Sequence, residues 1–98
     1  MVAVAGRKRG NRHWAVPWRK GVAANCTLGR FADDSIGELL LDSSKSNSTA
    51  DTNARDSAIV FSFAVQHGAN PEAIRRALSR DSQGRATGPL AAALDLLA

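Results

Sequence analysis

Among the side chains that titrate or ligate metals, this chain offers one cysteine, Cys26, two histidines, His13 and His67, and 9 carboxylates, with no tyrosine. A single cysteine excludes an internal disulfide and any multi-cysteine zinc site within one chain, and neither histidine stands at metal-ligand spacing from a second donor. His67 immediately precedes Gly68, a position from which an imidazole bonds the last carbonyls of a helix and favours its dipole. By period-two counting Cys26 shares a strand face with Val22, Ala24 and Leu28, which predicts a small core side chain and not a reactive thiol. Asp33 and Asp34 adjoin in a turn signal, where aspartates bond local amides. Asp51 and Arg55 are four residues apart at a helix start, the order that favours an ion pair. No nucleophile stands beside a base, no carboxylates pair on a helix face, and no glycine loop could cradle a phosphate. The expectation is a protein that is not an enzyme, uses no cofactor and no metal, and works by binding.

The cations offer more. Arg7, Lys8, Arg9, Arg12, Arg19 and Lys20 are interleaved with Trp14 and Trp18. With Arg30 and no acid they give residues 1–30 a charge of +7; residues 31–98 hold six bases and nine acids, or −3, and the two sum to the net +4. Guanidinium and ammonium groups pair with phosphates or an acidic protein surface, and indoles stack on unpaired bases or anchor in a protein groove. These eight residues are therefore candidate partner-binding positions. His13 belongs to the same basic stretch.

The elements that must position these groups follow from periodicity. Residues 1–12 read as a flexible basic arm, and 13–98 as a single domain, too short to divide further. His13 to Arg19 alternates as a strand in which Pro17, lacking an amide donor, requires an edge or bulge. Lys20-Gly21 turns the chain, Val22 to Phe31 forms a second strand, and Ile36 to Asp42 a third. Ser43 to Asn53 is polar and reads as a loop running into a helix start. From Ala54 the spacing becomes helical and the stretch is apolar nearly all round, predicting a buried helix of about fourteen residues that ends at Gly68. Asn70-Pro71-Glu72 opens a second helix running to about Arg80, with Arg75, Arg76 and Arg80 outward. Gly88-Pro89 opens a third, whose leucines occupy more than one face and predict a self-association patch. The expected fold is α+β: a three-stranded antiparallel meander followed by a buried central helix and two shorter helices.

The run LGRFADDSIGELLLDSSKSNSTADTNARDSAIVFSFAVQHGANPEAIRRALSR, followed by GPLAAALDLLA, resembles the TSCPD domain. That domain is found at the C-terminus of cobalamin-dependent ribonucleotide reductases and as small stand-alone proteins. The likeness spans residues 22–97 and implies a non-catalytic accessory domain that acts through a partner. Where the reductase-attached form opens its last helix with Cys-Pro-Asp, this chain has Gly88-Pro89-Leu90, so the thiol and the carboxylate are absent and no metal or thiol role carries over. A rival reading starts from Ala64, Gly68 and Ile74, which fall at helix-turn-helix offsets, and would present Arg75 and Arg76 to a DNA groove. A small inhibitor of a larger protein complex would share the same features. A protein partner is expected first, with nucleic acid and a second copy of the chain as further candidates. No run reaches the ~20 apolar residues that cross a bilayer. No apolar h-region marks a signal peptide, so no membrane contact and a cytoplasmic setting are expected.

Overall fold

A computed structural model describes residues 12–19, 22–43 and 49–97, without the side chains at 12–15, 17–19, 22, 23, 43 and 50. The strands are β1 (Arg12–Arg19), β2 (Val22–Arg30) and β3 (Ile36–Ser43), and the helices α1 (Thr49–Gln66), α2 (Pro71–Ala77) and α3 (Pro89–Leu97). The sheet order is β1-β2-β3 and both pairings are antiparallel. Register slips between Pro17 and Arg19, where proline withholds its ladder donor, and again between Gly29 and Arg30. The turn into β3 is closed by Asp34 in the left-handed region (φ 75°), with its amide donating to the Phe31 carbonyl. Gly37 lies directly under the Phe31 ring, where an added Cβ would come within 2.8 Å of a ring carbon.

Alternation puts Val16, Ala24, Cys26, Leu28, Leu39 and Leu41 on one face of the sheet, and all six are buried. That face is covered by α1, which packs along β3, and by α3, which packs on β1. Ala54, Ala58, Phe61 and Val65 from α1 and Leu90, Ala93 and Leu94 from α3 complete the core. Ala54 and Ala58 let the helix approach the sheet closely, and Phe61 is the largest fully buried side chain.

The expected architecture needs correcting at its centre. α1 is not a buried helix: Ile59, Val60 and Phe63 are exposed on the side away from the sheet. A single sheet layer covers only one side of a helix, so an all-round apolar sequence leaves the other side open. The helix also starts at Thr49, five residues before the expected Ala54, and runs for 18 residues. Its polar first turn is held by Asp51, which is buried and accepts from Arg55 Nε at 3.0 Å. α2 ends at Ala77, short of Arg80, because Leu78 adopts an extended conformation and Arg80 goes on to bridge Ala86. The patch expected on α3 is mostly inside the core, with Leu96 left exposed.

Candidate interaction surface

Several polar side chains singled out from sequence are committed to local structure. His67 Nδ1 lies 2.8 Å from the Phe63 carbonyl, closing the end of α1, and Gly68 follows at φ 95°. Asn70 caps α2 by accepting from the amides of Glu72 and Ala73 at 2.8 and 3.4 Å. The Ser35 hydroxyl and amide donate to Asp33 and hold its carboxyl below the usual range. Asp81 does the same for its own turn through the amides of Arg85 and Gln83. Cys26 is fully buried, and that burial pushes its thiol up to about 11.

The second helix does not present its cations as expected. Arg75 and Arg80 turn inward across α3: Asp95 accepts from Arg75 Nη1 at 3.0 Å and from Arg80 Nη1 and Nη2 at 2.7 and 2.8 Å. Glu72 takes a second face of Arg75 through Nε and Nη2 at 2.9 and 2.6 Å. The result is a four-residue charge cluster tying α2 to α3. The hydrogen bonds from Arg80, then those from Arg75, lower the Asp95 carboxyl to about 2. Both guanidiniums are raised in turn, Arg75 chiefly by Glu72 and Arg80 by Asp95. Arg76 remains on the outside, touching only Glu72 at 3.2 Å among the contacts described. Nothing in the sequence pointed to Asp95, because its partners lie 15 and 20 residues away.

Of the basic stretch, Arg7, Lys8, Arg9 and Lys20 lie outside the described residues. Arg12, Trp14, Trp18 and Arg19 belong to β1; the register sets Arg12 opposite Leu28 and Trp14 opposite Cys26. They are therefore carried on one of the two edge strands of the described sheet, next to α3.

The feature that periodicity concealed is the outer side of α1. Asp56, Val60, Phe63 and His67 follow at spacings of four, three and four, so they form one row along the helix. Val60 is 68% and Phe63 57% exposed, with Ile59 beside them at 45%. The His67 ring stacks on Phe63 with centroids 6.5 Å apart. An apolar groove of about 610 Å³ adjoins this row, lined by Val60, Ala64, Ile74, Leu78 and Leu90 over the buried Phe61. Isolated exposed apolar residues are ordinary, but neighbouring ones beside an apolar groove make this side of α1 the candidate interaction surface.

No family model, curated protein or solved structure matches the chain. Among the described residues, no helix is long and apolar enough to cross a membrane.

Proposed function

We propose that the chain is a non-catalytic accessory domain that acts by docking on protein, in line with its resemblance to the TSCPD domain. The observation that carries this reading is the row Val60–Phe63 with Ile59 on the outer side of α1. Fully burying an exposed apolar side chain is worth roughly 1.5–3 kcal/mol, and these three are about half exposed, so a partner covering all of them gains roughly half that range from each before ordering losses. The titratable groups described above support the same reading, since they cap helices, close turns and pair with arginines.

The +7 charge of residues 1–30 favours a second reading, in which the β1 side of the sheet meets nucleic acid. A capture experiment with the tagged full chain separates the two. The protein-docking reading expects partners that survive nuclease and are lost from Val60→Asp/Phe63→Asp but kept by Arg12→Ala/Arg19→Ala. Loss of every captured protein on nuclease treatment, or equal capture by the α1 variant, overturns it.

A further inference from the structure

We propose that the outer side of α1 is covered by the same side of a second copy of this chain, the two helices running antiparallel. This deepens the docking reading above and rests on it. The row Asp56, Val60, Phe63 and His67 has the four-three-four spacing of a short coiled-coil seam. In an antiparallel pair with its two-fold axis midway between Val60 and Phe63, each Val60 meets the other copy's Phe63. The same axis sets each Asp56 against the other copy's His67. The seam is thus self-complementary: two apolar layers at the centre, with a carboxylate and an imidazole meeting at each end. Isologous pairing requires a patch to match itself in this way, and a patch evolved for an unrelated partner has no such constraint.

The geometry at His67 suits this arrangement. Its Nδ1 is engaged by the Phe63 carbonyl of its own helix at 2.8 Å, which fixes the ring and leaves Nε2 as the nitrogen that meets a carboxylate, to which it donates in the imidazolium form. The stacking of His67 on Phe63 aligns the polar and apolar parts of the row. Beside the seam, the groove lined by Val60, Ala64, Ile74 and Leu78 provides further apolar surface for the partner helix to cover. Two layers make an interface at the small end of specific contacts, so association is concentration-dependent and not obligate.

Sedimentation equilibrium of the purified full chain from about 10 μM to about 1 mM tests this, the range being that of weak specific complexes. The mass rises from monomer towards dimer for the native chain and stays at the monomer value for Val60→Asp/Phe63→Asp with an unchanged far-UV spectrum. Charge variants read the antiparallel register. His67→Lys tightens the dimer, Asp56→Lys/His67→Lys weakens it at least tenfold, and Asp56→Lys/His67→Glu restores it. A monomer mass at all concentrations overturns the proposal, as does a dimer indifferent to both sets of variants. A monomer that still captures protein through Val60 and Phe63 removes the second copy while the docking reading stands.

Discussion

Ser62 illustrates how much one small polar side chain can hold. It is buried on the inner side of α1, and its hydroxyl both accepts from the Leu39 amide and donates to the Leu39 carbonyl, each at 2.9 Å. One turn on, Gln66 Nε2 donates to the Gly37 carbonyl at 3.0 Å. The spacing of four on the helix thereby matches the spacing of two on β3. Replacing Ser62 with alanine strands two backbone groups of Leu39 away from water, and an unmade buried hydrogen bond costs about 1–3 kcal/mol. We expect Ser62→Ala to lower Tm by roughly 4–8 °C for each kcal/mol lost, measured by calorimetry on the full chain. Ser62→Thr, which keeps the hydroxyl, retains more of that stability than alanine does.

Among the elements, α2 is held differently from its neighbours. None of its residues is fully buried, so beside the partly buried Ile74, which packs on the core, it relies on its Asn70 cap and on the Glu72–Arg75–Asp95–Arg80 cluster. Asn70→Ala removes the bonds to the Glu72 and Ala73 amides and is expected to destabilise by about 1 kcal/mol. Hydrogen exchange should quicken across 72–78 and leave β2 and the inner side of α1 unchanged; uniform acceleration would show that α2 melts only with the whole domain. Elements of this kind were legible where their signals are local. Asn70-Pro71, Gly68, the Asp51–Arg55 pair and the cap by His67 all act within four residues, and the chain spells them out directly. The Asp95 cluster and the Ser62 bridge join residues 15 or more apart and had no such signature. The outer row of α1 escapes the sequence for another reason: apolar periodicity reports that a side chain avoids water, without saying whether its cover comes from the same chain. Helical counting from Pro71 to Arg80 places Arg75 and Arg80 outward because it does not foresee α3 folding back to meet them.

At the scale of the whole molecule, ionisation sets two limits on stability. Asp95 has its folded pKa lowered from 3.8 to about 2, so its contribution is complete above pH 4 and disappears as pH falls towards 2. Glu72 is lowered by Arg75 and Asp33 and Asp81 by their turns, so they lose stability over the same acid side. Cys26 is raised from 9.0 to about 11, so the neutral thiol's contribution is complete below pH 9 and is lost as pH climbs through 11. Denaturation followed against pH should therefore show a plateau with an acid limb below 4 and an alkaline limb above 9. Asp95→Asn flattens the acid limb, by an amount limited to about 1 kcal/mol because the carboxylate is partly solvated. Cys26→Ala removes the alkaline contribution, and a thiol reagent at neutral pH should label Cys26 only as fast as the domain unfolds.

The side chains of Ser62 and Gln66 along β3 also bear on how the protein behaves when crowded with its own kind. A sheet propagates into a filament only if every added copy brings one edge to bind with and another to be bound. In this sheet the β3 side is occupied by α1 through Leu39 and Gly37, which among the described residues leaves the β1 side, interrupted by Pro17, as the edge for strand addition. Two copies joined there would have no edge remaining, so edge-to-edge growth ends as soon as it begins. Removing the seal should convert a terminated reaction into a propagating one. On prolonged agitation, Ser62→Ala/Gln66→Ala is expected to give a thioflavin-positive, elongating aggregate under conditions where the native chain does not; equal behaviour of the two would mean that the helix side chains do not govern polymerisation.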